Sequence, residues 1–402
     1  MDLLSTFYSC IPSPGSVYKM RLAWLLPACL IPLATAKPTL CHSSQISANS
    51  MVNGSVYIDT SPMTPFEWPT ISALNSTAWE YWYFDGVSSD GSAGVTIVFF
   101  RDPSLVAAGL GILRVSVDAV WSNGTKFTTI MFANNSIVEE CGDETTGTWT
   151  GPGMACSFQF SQYAAADIAL SGVGITGEAV TGTYSLTSFS KAHYPDGTTY
   201  PSRKETVELA PLIYWNEAIP GGSVKTDTVL AGTPLTFSGI GGTDRNWGPF
   251  IWDYVADHWW WLRTVAGPYT LVFWKYASPL DGKTYSYSYL EEHGVPVFTS
   301  TIEGAVAGGA DYATFELLYN GTVHGSFEDL NTGFEVELHS PKRGKSWRFE
   351  IEHVNVVFEP PTGNDQYSRF VNTANGGEVG CQVFVGVCKS EQNKILQVAP
   401  MP

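Results

Sequence analysis

Glu80 stands among aromatic residues in the stretch Trp79 to Asp85, WEYWYFD. An ionised glutamate is rarely buried without a partner. On an extended strand Glu80, Trp82 and Phe84 share one face, and Trp79, Tyr81, Tyr83 and Asp85 share the other. If the first face is interior, the carboxyl sits in an apolar site with a raised pKa or a hydrogen-bond partner, and can serve as acid or anchor. The alternatives are an exposed face, or a structural pair with Arg101 or Arg245. Other isolated polar groups among rings invite the same question: Asp244, Arg245 and Asn246 in GGTDRNWG, and Tyr214 beside Trp215 in PLIYWNE.

Other chemistries find less support. Residues 172–177, GVGITG, match G-x-G-x-x-G, but alternating strand patterns flank them where a dinucleotide site needs a following helix. The seven histidines show neither H-x-H nor H-E-x-x-H spacing, and no G-x-S-x-G elbow occurs. The adjacent pairs Glu139-Glu140 and Glu291-Glu292 would face opposite ways on a strand. No metal and no cofactor are expected.

The elements that must carry these residues read as strands. Leu113, Val115, Val117 and Ala119 alternate with Arg114, Ser116 and Asp118, and Trp347, Phe349 and Ile351 alternate with Arg348, Glu350 and Glu352. Asn-Gly and Asp-Gly pairs such as Asp90-Gly91 and Asn320-Gly321 punctuate them as turns. The expectation is an all-β protein of sandwich-like and barrel-like domains. A boundary is placed in the Gly-, Pro- and Thr-rich stretch 221–239, which divides the chain into 37–232 and 233–402.

Residues 20–36, MRLAWLLPACLIPLATA, follow Lys19 and end in an A-x-A pattern, so residues 1–36 are expected to be a secretory signal peptide. No other segment is long enough to span a bilayer. Sequons at Asn53, Asn75, Asn123, Asn134 and Asn320 agree with a lumenal or secreted protein. An oxidising compartment permits disulfides. The local pairs Cys141–Cys156 and Cys381–Cys388 are the expected ones, with Cys41 left over, although spacing alone does not fix connectivity. The net charge of −17 makes nucleic acid an improbable partner, since phosphate binding needs a positive face.

AWEYWYFDGVSSDG (78–91), GGTDRNWG (241–248), WWLRTVAGPYTLVF (260–273) and the closing GGEVGCQVFVGV (376–387) resemble the fungal Diels–Alderases of polyketide biosynthesis. These sit in a wider group resembling hydroxyneurosporene synthase. The resemblance implies two β domains of lipocalin-like architecture with a ligand pocket between them. It also implies a cofactor-free intramolecular [4+2] cyclisation of a linear polyene with a tetramate-type head, supplied by a polyketide synthase, to a decalin or related ring. By matching motifs it implies roles for Glu80, Tyr214 and Asn364 in catalysis, and for Trp247 and Phe358 in the pocket. Trp82, Asp244 and Trp260 are added as binding residues. Phe358 stands where the family often has Trp, so the shape of the product does not carry over.

The wider group also contains carotenoid and phytoalexin hydratases. A secreted hydratase of a prenylated substrate, with Glu80 or Asp244 as general acid, is the second reading, though Thr243 occupies a place where such relatives often have His. A non-catalytic lipocalin-like binder is the third.

Overall fold

The structure is a computed structural model and describes residues 41–326, 328–360 and 366–396. It is all-β, as the alternation predicts. The first sheet contains β1 (Cys41–Ser47), β2 (Trp79–Ser88), β3 (Gly94–Arg101), β4 (Leu113–Val120), β5 (Lys126–Phe132), β6 (Asn135–Cys141), β7 (Glu144–Gly151), β8 (Met154–Ser161), β9 (Ala165–Val173), β10 (Ala179–Ser188), β11 (Glu208–Ala210), β12 (Ile213–Leu230) and β13 (Thr233–Gly248). Its order is β1-β6-β7-β8-β9-β10-β12-β13-β2-β3-β4-β5, with β11 added to β12, and it curves into a half-barrel. The second sheet contains β14 (His258–Ala266), β15 (Tyr269–Ala277), β16 (Thr284–Glu292), β17 (Val295–Ser300), β18 (Tyr312–Leu318), β19 (Gly333–Ser340), β20 (Lys345–Phe358), β21 (Ser368–Glu378) and β22 (Phe384–Lys394). Its order is β17-β16-β15-β14-β22-β21-β20-β19-β18. The two edges approach where Ala313 bonds Ile302 and Gly304, so this barrel nearly closes. Every strand pairing is antiparallel.

Three aromatic-rich cores hold this arrangement. Trp82, Phe84, Phe99, Trp149 and Phe158 fill the hollow of the first sheet. Phe273, Phe334, Trp347 and Phe349 fill the barrel. Between the sheets lie Trp79, Tyr83, Trp215, Trp259, Trp261 and Trp274. β2 and β3 are therefore buried on both faces, one toward each neighbouring core. Among the described residues no helix is long and apolar enough to cross a membrane.

The stretch expected to hold a boundary is a bent hairpin. Residues 231 and 232 form the turn between β12 and β13, both in the first sheet, and the chain passes to the second sheet through residues 249–257. The glycines there serve close packing: a Cβ on Gly239 or Gly241 would overlap the carbonyl oxygens of Val87 and Asp85 on β2.

The cysteines pair differently from the local expectation. Cys141 is bonded to Cys41, not to Cys156, because β1 lies antiparallel to β6 with these two residues opposite each other at a Cα separation of 4.4 Å. Cys156 and Cys388 are buried free thiols, and Cys381 is disulfide-bonded. Four of the sequon asparagines, Asn53, Asn123, Asn134 and Asn320, are exposed. Asn75 is half-buried and its Nδ2 donates to Gly54 O at 2.9 Å.

Candidate active site

The alternation of β2 sends Glu80, Trp82 and Phe84 into the first core and Tyr81 and Tyr83 toward the second sheet. The same rule operates on three other strands. Trp259 and Trp261 of β14 face the first sheet while Trp260 and Leu262 face the barrel side. Asp244 and Asn246 of β13, and Glu391 and Asn393 of β22, point into the same gap. Together they enclose a cavity of about 390 Å³, within the range of small-molecule sites. Val98, Phe100, Ile130, Trp252, Trp274 and Ile395 complete an apolar wall.

One end of the cavity is ionic. Glu391 accepts hydrogen bonds from Tyr83 Oη at 2.7 Å, Tyr367 Oη at 2.8 Å and Arg369 Nε at 2.8 Å. Arg369 Nη1 donates to Asp118 at 2.6 Å, and its guanidinium packs 5.0–5.5 Å from the ring centres of Tyr83, Phe358 and Tyr367. Burial, reinforced by the Glu391 charge, holds the Tyr83 hydroxyl well above its ordinary pKa, so it remains a donor. Burial likewise raises the Tyr367 hydroxyl, with Arg369 opposing and Glu391 reinforcing. Among the described residues Arg369 bonds through Nε and Nη1. Buried atoms on the wall without a hydrogen-bond partner among the described residues include Asn246 Nδ2, Trp274 Nε1 and Asn393 Oδ1. Buried polar atoms are nearly always paired, so these three mark where a ligand would bond.

A second polar station lies further along β4, where Arg114 shares a cavity-facing side with Asp118. Tyr81 Oη donates to Asp102 at 2.9 Å, and Arg114 pairs with the same carboxylate while lying 4.3 Å over the Phe100 ring. Burial opposes ionisation of Asp102, but Arg114 and the Ser104 donors hold its pKa below the ordinary value.

Of the residues expected in the site, Asp244 and Phe358 line the cavity. Glu80 does not. It is fully buried and accepts hydrogen bonds from Arg101 Nη1 at 3.1 Å, Arg245 Nη2 at 2.8 Å, and the Thr70 backbone and hydroxyl at 2.7 and 3.1 Å. This is the structural pairing, doubled. Trp82 lies in the first core beneath the Arg245 guanidinium, at 4.2 Å. Tyr214 stacks on Trp247 at 5.8 Å in a separate cluster with Phe66, Ala192 and Tyr194. Trp260 meets His258 and Phe315 on the barrel side of β14. Asn364 lies outside the described residues. The residues that sequence reasoning missed are Tyr81, Tyr83, Trp259, Trp261, Arg369 and Glu391. The first two occupy the opposite face of the strand that attracted attention to Glu80. The alternate members of the triple tryptophan carried the same signal.

Among the described residues no group of three or more His, Cys, Asp or Glu is placed to hold a metal ion. The family model described as Diels-Alderase-like matches residues 38–396. Diels-Alderase ffsF of Aspergillus flavipes is 36% identical over 368 residues, covering 90% of this chain and 88% of that protein. Diels-Alderase phmD of Phaeosphaeria nodorum (strain SN15) is 36% identical over 353 residues, covering 86% of this chain and 96% of that protein. Among solved structures, the crystal structure of CghA with Sch210972 aligns with a TM-score of 0.75 at 24% identity, covering 89% of this chain and 99% of that one; the likeness is one of fold.

Proposed function

The chain belongs to the Diels-Alderase-like family, and we propose that it closes a linear polyene with an acidic, tetramate-type head by an intramolecular [4+2] cycloaddition to a decalin or related ring. The observation that carries this reading is the polarity of the cavity. Arg369 with Glu391 at one station, Arg114 with Asp102 at another, unused donors on the wall and rings between them suit a flexible apolar chain with a polar head.

The reaction converts three π bonds into two σ bonds and one π bond, and no group is transferred. Its barrier is largely the ordering of a flexible chain with diene over dienophile. Positioning can supply up to about 7–11 kcal/mol in favourable systems. In this reading Arg369 Nη2 holds the anionic head, while Asn246 Nδ2 and Trp274 Nε1 donate to its carbonyl oxygens. Trp252, Trp259 and Phe358 shape the folded polyene, and the rings offer contact area without competing polar groups.

The test is incubation of the purified protein with a linear polyenoyl tetramate. The expected product is an isomer of unchanged mass, formed faster than in buffer and with a different diastereomer ratio. A rate and ratio equal to buffer would overturn the reading. Label from heavy-oxygen water in the product would replace it with hydration. The Cys41–Cys141 disulfide and the exposed sequons support a secretory location for this step. An endoglycosidase-sensitive mass in material from a eukaryotic host is expected, and an unmodified mass would count against it.

A further inference from the structure

Asp85 of β2, Glu217 of β12 and Asp244 of β13 converge on one guanidinium, that of Arg263 on β14. Glu217 Oε2 lies 2.6 Å from Arg263 Nη2, Asp244 Oδ2 lies 3.5 Å from the same nitrogen, and Asp85 Oδ2 pairs with Nη1. Asp85, Glu217 and Arg263 are wholly buried, and Asp244 is 4% exposed. Glu217 and Asp244 are directly opposed across the β12–β13 ladder, where like charges repel. One cation cannot balance three carboxylates removed from water. Two carboxyls sharing such a site keep a proton between them.

The distances say which carboxyl keeps it. Glu217 has the closer contact with Arg263 and takes the anionic form. Asp244 has the longer contact and, of the three, is the one that lines the cavity. We propose that Asp244 is un-ionised in the resting protein and acts as a catalytic hydrogen-bond donor, its carboxyl proton directed at the substrate carbonyl conjugated with the dienophile. The proposal rests on the cycloaddition reading for its substrate. The hydrogen bond draws electron density from the alkene as the two σ bonds form; the proton stays on Asp244, and no bond to the protein forms or breaks.

The surroundings agree. The groups facing Asp244 are Tyr83 and Asp85 on β2, Glu217 on β12, Arg263 on β14 and Tyr289 on β16. Beyond these stand Arg369 on β21 and Glu391 on β22, with Lys389 on β22 coupled to Arg369, Glu391 and Asp118. Burial, then the Glu391 charge, pushes the Asp244 carboxyl well above the ordinary carboxylate range. Burial, then the neighbouring Asp244, raises Glu217 as well, so the pair shares one proton, and the closer Arg263 contact of Glu217 leaves that proton on Asp244. A donor held in this way is lost as pH rises through the raised value.

Two measurements decide this, the first without substrate. Infrared spectroscopy of the full chain at pH 7 should show the C=O stretch of an un-ionised carboxyl that D244N removes, beside the band of buried Glu67, whose carboxyl burial raises to about 8. A wild-type minus D244N difference spectrum with no C=O band overturns the assignment. The second is kcat against pH with a polyenoyl tetramate. Wild-type kcat should fall at high pH. D244N, whose amide still donates, should keep its rate there, and D244A should lose about tenfold or more at all pH values. A flat wild-type profile, or equal losses in D244N and D244A, overturns the catalytic role. A wild type with the infrared band but no acceleration over buffer would instead overturn the cycloaddition reading and, with it, the role of the proton.

Discussion

Replacing Glu80 with alanine would leave Arg101 and Arg245 buried without their common partner. The carboxylate accepts four hydrogen bonds, two from guanidinium groups and two from Thr70, and neither arginine has access to water. Arg245 would keep the carbonyls of Phe66 and Trp68 and the face of Trp82, and Arg101 would keep Ser44 and Ser136. These are dipoles and a quadrupole, and they do not replace a charge in a low-dielectric core. Breaking a buried ion pair from one side costs about 3–5 kcal/mol. At roughly 2 °C per kcal/mol for a chain of this size, the unfolding midpoint should fall by roughly 6–10 °C. E80Q, which keeps the shape and some of the hydrogen bonds, should fall between the wild type and E80A. Thermal and urea unfolding followed by near-ultraviolet circular dichroism measure this. Cyclisation by folded E80Q at low temperature should keep the wild-type diastereomer ratio, because Glu80 does not line the cavity. A wild-type midpoint in E80A, or a changed ratio in E80Q with normal stability, would refute the reasoning and return Glu80 to the chemistry.

Three further outcomes are expected. R369M should lower kcat/KM by roughly 10–100-fold, the range for one hydrogen bond to a charged group, and R369K should recover part of the loss; steady-state kinetics with the proposed polyenoyl tetramate check both. Burial lowers the His353 imidazole from 6.5 to about 4, with Asn372 opposing. The unfolded chain therefore takes up a proton between these pH values while the folded one does not. Stability should fall by about 3 kcal/mol as pH drops through that window and level off below it, and H353Q should lack this component in urea titrations at pH 7 and pH 4.5. Reduction of Cys41–Cys141, or C41S, removes a link closing 100 residues and should cost about 3–5 kcal/mol, measured as a lowered unfolding midpoint.

The all-β class was legible because solvent-facing strands such as β20 alternate cleanly between buried and exposed positions. The site was harder to read because its strands have no solvent face. In β2 nearly every residue is buried, so the alternation of WEYWYFD separates two interiors without saying which encloses the hollow. Glu80 attracted attention as a charge among rings, yet its partners Arg101 and Arg245 come from the two neighbouring strands, and their registers with β2 are not visible in a single sequence. Arg369 and Glu391 look like ordinary surface polar residues until β21 and β22 are seen packed against the first sheet. Cys41 finds Cys141 for the same non-local reason, since only the β1–β6 pairing brings residues so distant in sequence together. Asp244 was legible because it sits beside Arg245 in a motif of opposite charges, whose alternation sends one residue to each side of β13.

The hollow lies on a parting line, with each half of its lining carried by a separately hydrogen-bonded sheet and only residues 249–257 running from one to the other. A change at Phe358 or Trp252 can recontour one jaw without disturbing a ladder in the other. The shape of the cavity can thereby diverge between relatives while both scaffolds persist, much as a caster re-cuts one half of a die and keeps its mate.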